Sequence, residues 1–148
     1  MAMKYLQGKF EPTKPEKYVG DVNKIVFRSS WERKFFIWCD STDNIVKWNS
    51  EELVIPYMSP VDNRMHRYFV DAVIQVKDKT GKLNFYAVEI KPKIQTEMPK
   101  KPKRMSKSYL KAIETYAVNQ SKWAAAKLWC ESNKMTFQIL TEEHLGIK

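Results

Sequence analysis

The sequence predicts an α/β fold whose elements run α-β-β-β-α-β, a small mixed sheet flanked by helices. Three observations carry that expectation. Residues 28–42 place apolar side chains at helical spacing. Two strand-like runs, 68–77 and 83–91, are separated by Asp78-Lys79-Thr80-Gly81. An alanine-rich stretch, 109–133, precedes a last apolar run at 135–140. Helices laid on the faces of a sheet are the natural layer arrangement for such an order.

Residues 1–24 read as an irregular lead, because Pro12 and Pro15 break any helix there. In 28–42, Ser29 or Ser30 is the expected N-cap, with Glu32 and Arg33 in the first turn. Trp31, Phe35, Trp38 and Cys39 form one stripe, with Glu32 and Phe36 beside it. Residues 44–57 read as a weak strand, a polar break and a second strand, Leu53–Tyr57; 59–66 reads as a loop. Tyr68, Val70, Ala72, Ile74 and Val76 alternate along the next strand, and Gly81 supplies the turn. Residues 92–108 hold three prolines, a cluster of Lys and Arg and a single acid, and read as a basic loop. In the long helix, Leu110, Ile113, Ala117, Ala124 and Leu128 are the expected apolar side, with Trp123 and Trp129 near it. One domain over 1–148, with its core at about 25–142, is the expected organisation.

Composition excludes several classes. A 43% hydrophobic fraction rules out disorder as the main state. Two cysteines, Cys39 and Cys130, make neither a disulfide scaffold nor a zinc finger, and a reducing cytosol fits them. Apolar runs reach only about five residues, against roughly 20 for a membrane span. The first residues lack the apolar core of a secretory signal. The net charge of +9 is uneven, +2 over residues 1–90 and +7 over 91–148, which points to a polyanionic partner.

The chemistry concentrates in the hairpin. Glu89 and Lys91 are two apart on one strand and so share a face. Asp71 lies 18 positions before Glu89, and the hairpin register can bring it alongside. Each carboxylate interrupts an apolar run, which is costly unless something compensates it. Two converging carboxylates suit a hard divalent cation such as Mg²⁺, which takes carboxylates, waters and phosphate oxygens. A neighbouring lysine can orient water or stabilise phosphate charge. The plain structural alternative is a buried carboxylate–lysine ion pair, and Glu32-Arg33-Lys34 repeats the same spacing.

Val70-Asp71 followed by Glu89-Ile90-Lys91 resembles the motif of the PD-(D/E)XK nuclease superfamily. The resemblance implies a restriction-endonuclease-like core, and Arg28-Ser-Ser-Trp-Glu32 matches the glutamate carried by its first helix. Val70 replaces the motif's proline, and no clear glutamine motif follows in the long helix, where Gln120 or Lys122 are the candidates. The segments RSSWERKF, VDAVIQ, VEIKPK and FQILTEEHL are similar to the head-completion nucleases of T4-like tailed phages. They are similar also to the endonuclease subunit of Tn7-like transposons.

This resemblance implies an endonuclease that processes DNA ends during phage head completion, after packaging. Asp71, Glu89 and Glu32 would ligate Mg²⁺, with Mn²⁺ as a substitute, and Lys91 would position the attacking water. For Glu32 the alternative is a carboxylate favoured at a helix N-terminus by the macrodipole. The resemblance also implies phage head or portal/neck proteins as partners, and a place in the host cytoplasm or the virion. A non-catalytic protein binding DNA ends in the head or neck, and a transposition or junction-resolving nuclease, are the competing expectations. Lys93, Lys100, Lys101, Lys103, Arg104 and Lys107, with Arg64 and Arg67, are the expected DNA contacts, and His66 an auxiliary one. With no helix-turn-helix in view, contact is expected to be with the backbone, without sequence preference.

Overall fold

A computed structural model describes residues 7–147. Among them the main sheet has four strands: β3 (Ile45–Ser50), β6 (Ala72–Lys77), β7 (Leu83–Ile90) and β8 (Thr136–Leu140), in the order β3-β6-β7-β8. The first three are antiparallel neighbours, and β8 runs parallel to β7. A parallel pair needs a crossover, and the long helix α2 (Lys107–Ser132) provides it. With α1 (Ser30–Ser41), the order is α1-β3-β6-β7-α2-β8, the predicted α-β-β-β-α-β core.

Between β3 and β6 the chain makes an excursion, β4 (Val54–Met58) and β5 (Met65–Phe69), which pair as a separate hairpin. The single strand expected over 68–77 is therefore broken at Val70-Asp71. The break has a packing cause. Tyr68 and Val70 are buried against α2, whereas Ala72 and Ile74 are buried against α1. The alternation is continuous in sequence, but the chain changes layers at Asp71. The expected loop at 59–66 is correspondingly shorter, since β5 begins at Met65.

Two cores sandwich the sheet. One holds Trp31, Phe35, Phe36 and Cys39 of α1 with Ile45, Trp48, Ile74, Val88 and Ile90. The other holds Trp123, Ala126 and Cys130 of α2 with Ile55, Tyr57, Tyr68 and Ala87. Both cysteines are free and buried, as small hydrophobes. Phe36 is inside, whereas Trp38, expected in the stripe, is 47% exposed. The buried side of α2 is Asn119, Trp123, Ala126 and Cys130, spaced i, i+4, i+7, i+11. Leu110, Ala124 and Leu128 lie exposed instead. Alanine-rich helices carry little amphipathic signal, and here the tryptophans and a cysteine fix the face.

The lead is irregular but not peripheral. Gly8–Lys9 (β1) pairs with Val26–Phe27 (β2), and Phe10, Tyr18, Ile25 and Phe27 enter the α1-side core. Val19 N–H donates to the Trp48 carbonyl at 2.8 Å, covering the outer edge of β3. The end of α1 is closed by the lead as well. Lys17, 8% exposed, donates to the carbonyls of Cys39, Asp40 and Thr42 at 2.6, 3.2 and 2.8 Å. Asp40 accepts from Thr13 N–H and Oγ1–H and from Lys14 N–H, at 2.8, 2.7 and 3.0 Å. A cation at a helix C-terminus and satisfied carbonyls are both favourable there. After β8, α3 (Glu142–Leu145) is capped by Thr141 and His144. No helix among the described residues is long and apolar enough to cross a membrane.

Candidate active site

The hairpin of β6 and β7 sets the site's register. Ala72 pairs with Val88, so Asp71 stands beside Glu89 just as β6 begins. The Asp71 carboxylate accepts the Ile90 N–H at 2.7 Å, and its own carbonyl accepts the Glu51 N–H at 3.2 Å. Glu89 and Lys91 project with Ala87 toward α2, as period-2 alternation requires. Glu89, 7% exposed, meets the Lys91 ammonium at 3.5 Å and accepts a hydrogen bond from the Tyr68 hydroxyl.

Electrostatically the group is strained. Burial and then the Glu89 charge push Asp71 well above the ordinary carboxylate range. Burial also raises Glu89, though Lys91, Tyr68 and Lys122 pull it back. Glu32 is raised by burial, partly offset by its hydrogen bond from Arg28 N–H at 2.9 Å. That bond and the Ser29 cap, Ser29 Oγ accepting Glu32 N–H at 3.1 Å, give Glu32 a structural job at the start of α1. Glu32 still lies close enough to raise Asp71. Asp71, Glu89 and Lys91 therefore meet, from the β5–β6 break and the end of β7, and Glu32 at the start of α1 is near enough for its charge to be felt at Asp71.

Three contributors were not visible in the sequence. Tyr68 reads there only as a member of an apolar stripe, yet its phenol holds Glu89. Arg28 and Glu51 form a two-pronged ion pair, at 2.8 and 3.1 Å, joining the root of α1 to the end of β3. Glu51 takes a left-handed backbone, φ 55°, uncommon for a residue with a side chain. Of the two weak candidates on α2, Lys122 joins the site. Its ammonium lies 5.8 and 5.7 Å from the Tyr57 and Tyr68 ring centres and lowers Glu89. Gln120 is exposed on α2 without such contacts.

The expected DNA contacts separate into two groups. Arg64, His66 and Arg67 sit exposed on the β4–β5 hairpin. His66 is bound to Asp62 at 2.8 Å, and Arg67 lies over the Phe69 ring. Lys100, Lys101, Lys103 and Arg104 are exposed in the loop before α2. Two others differ from expectation. Lys107 opens α2 behind the Ser106 cap rather than lying in the loop. Lys93 is tied to Glu143 at 3.0 Å.

Among the described residues no three His, Cys, Asp or Glu side chains converge into a ready metal cage. The donor set nevertheless fits a hard cation. It is all oxygen and mutually repelling, with Glu89 buried and Asp71 and Glu32 half-buried, and a divalent ion would relieve that repulsion.

Residues 42–142, including Asp71, Glu89 and Lys91, match the family model described as "TnsA-like endonuclease N terminal". The chain belongs to this family. Glu32 lies outside the matched span. The chain is also 42% identical, over 93% of its length and 92% of the relative's, to the head completion nuclease of Enterobacteria phage T4. No solved structure matches. Family membership accords with the PD-(D/E)XK resemblance, and the mixed sheet between helices is compatible with a restriction-endonuclease-like fold.

Proposed function

We propose that this chain is a divalent-metal-dependent DNA endonuclease that acts on DNA ends in phage head completion, working as one nuclease domain with a core at about 25–142. The observation that carries the reading is the convergence of Asp71, Glu89 and Lys91 across one hairpin, with Glu89 buried and Asp71 half-buried. Glu32, at the start of α1, is the third carboxylate that this reading recruits.

Asp71 and Glu89, with Glu32, would hold the metal. Mg²⁺, or Mn²⁺ in its place, supplies Lewis acidity to the scissile phosphate and to the water that attacks it. Lys91 holds its ammonium 3.5 Å from the Glu89 carboxylate. It can orient that water and stabilise charge as it grows on the phosphoryl oxygens. Tyr68 fixes one Glu89 oxygen and leaves the other toward Lys91. Lys122 adds a second cation on the α2 side, suited to a neighbouring phosphate. Lys100, Lys101, Lys103, Arg104 and Lys107, with Arg64 and Arg67, supply backbone contacts whose strength falls with salt. Lys93 joins them only when freed from Glu143.

The test is supercoiled plasmid incubated with the protein and Mg²⁺ or Mn²⁺, beside Glu89→Ala and Lys91→Ala. Nicking or linearisation that needs metal and is lost in both variants supports the reading. Salt-sensitive DNA binding without cleavage by the parent protein would overturn it in favour of a non-catalytic DNA-end protein of the phage head or neck.

A further inference from the structure

The walls of one cleft in the described residues include none of the carboxylates of the candidate active site. The cleft measures about 960 Å³ and runs between the loop at 93–100 and one face of α2, from Ser108 to Asn119. Lys122 is one turn further along that helix, where it meets Glu89. From Lys111 to Lys122 the face spans about 16 Å, at 1.5 Å per residue. Two elements therefore run from the cleft to the site: α2, and the segment Lys91-Pro92-Lys93.

Three features describe its occupant. The first is charge: residues 92–111 hold seven Lys or Arg and one acid, a net +6 of the chain's +9. Lys100 and Lys111 line the cleft, against Glu97 and Glu142, and Glu142 is already engaged by Lys93 N–H at 2.7 Å. The second is Asn119. It is only 7% exposed, it lines the cleft, and its amide makes no side-chain hydrogen bond among the described residues. Its polar atoms keep access to the open cleft, where a ligand can take up their hydrogen-bonding capacity. The third is Tyr116, one turn before Asn119 on the same face. It supplies an aromatic surface next to a group able both to donate and to accept.

Lysines, apolar side chains at Ile94, Met98 and Pro99, an aromatic ring and an amide are the parts of a single-strand site, in which phosphates track lysines and a base stacks.

We propose that this cleft receives an unpaired DNA strand, one base seated against Asn119 and Tyr116, and that it guides that strand to the carboxylates. The substrate class is then DNA with a single-stranded end or tail, rather than blunt duplex. This rests on the nuclease reading above and adds to it which DNA is cut.

Binding and cutting separate the two claims. Fluorescence anisotropy on the full chain in EDTA compares a labelled 12-nucleotide single strand with a blunt duplex of the same sequence. Cleavage with Mn²⁺ compares blunt duplex with duplex bearing a 3′ or a 5′ tail. The expected result is binding of the single strand at least about tenfold tighter than the duplex, the size of one base stack, with preferential cutting of a tailed form. Asn119→Ala and Lys111→Glu are expected to bring the single-strand-to-duplex ratio close to one. Thr115→Trp, which fills the cleft from an exposed position, is expected to do the same and serves if Asn119→Ala fails to fold. Equal binding of both DNA forms, or a ratio unmoved by Thr115→Trp and Lys111→Glu, overturns the proposal; an acidic protein segment would then be the better occupant. Selective single-strand binding with no cleavage of any DNA leaves the cleft assigned and overturns the nuclease reading alone.

Discussion

Two places in this molecule bury charge, and they do so in opposite ways. At the end of α1, Lys17 reaches three carbonyls and Asp40 receives three hydrogen bonds. Burial raises the Asp40 pKa, but those hydrogen bonds outweigh it and hold the carboxyl below its ordinary 3.8. At the hairpin, Asp71 and Glu89 are enclosed with too few donors, and both sit above the ordinary range. A buried carboxylate whose hydrogen bonds are complete, as at Asp40, stabilises the fold. A buried charge left incomplete costs stability until a ligand arrives, and such places are where function concentrates.

Substitution of the incomplete group gives the largest contrast. Asp71→Ala, Glu89→Ala and Lys91→Ala are each expected to lower plasmid cleavage about a hundredfold or more. The metal-free Asp71→Asn protein is expected to melt a few degrees higher than its parent, since about 1 kcal/mol is 2–4 °C at this size. The pH dependences of the two places should also be opposite. Raised carboxylates favour the metal-free fold fully only below their unfolded values, and that advantage is lost as pH rises through their folded ones. Asp40 contributes above about 3.8, and its contribution is lost as pH falls through its lower folded value. Calorimetry across pH, with and without Asp71→Asn, checks both signs. A lower melting point for Asp71→Asn would break the comparison.

Lys17→Met should do the reverse. It orphans three carbonyls, so roughly 2–3 kcal/mol of stability is expected to go. Denaturant unfolding measures that loss, while cleavage per folded molecule at low temperature stays near the parent value.

A smaller effect is expected from Arg28→Ala. An exposed ion pair contributes only about 0.5–1 kcal/mol, but this one ties the start of α1, and so Glu32, to the end of β3 beside Asp71. Cleavage should fall about tenfold with a rise in the metal concentration needed. The double exchange Arg28→Glu with Glu51→Arg should restore part of it. A drop in melting point with unchanged metal response would reduce the pair to a surface contact.

Tyr68→Phe is the finest probe. Its hydroxyl helps hold Glu89 down, so its loss raises the Glu89 pKa. The acid limb of the pH–rate profile is then expected to move toward higher pH, with little change on the plateau.

The α-β-β-β-α-β order and the pairing of Asp71 with Glu89 and Lys91 were legible in the sequence because both depend on short-range period. A hairpin with a four-residue turn fixes register locally. The lead was not legible. Phe10, Tyr18 and Ile25 follow no period, and their partners lie across the core. The face of α2 was misread for a related reason. Leu110 and Leu128 look like core but are exposed, whereas Asn119, polar, is among the buried residues. The Arg28–Glu51 pair joins positions 23 apart, and nothing in either neighbourhood announces it.

The excursion of β4 and β5 closes on itself at its root. Val70 N–H returns to the Leu53 carbonyl at 3.0 Å, one step from the bond between Glu51 and Asp71. What happens at the tip, around Pro60 to Arg64, therefore need not disturb the register below it. Lengthening such a loop twofold costs only about 0.6 kcal/mol. For descent with modification this is an open branch point: insertions there can give related chains a new reach or a new docking partner while the carboxylates inherit the same place.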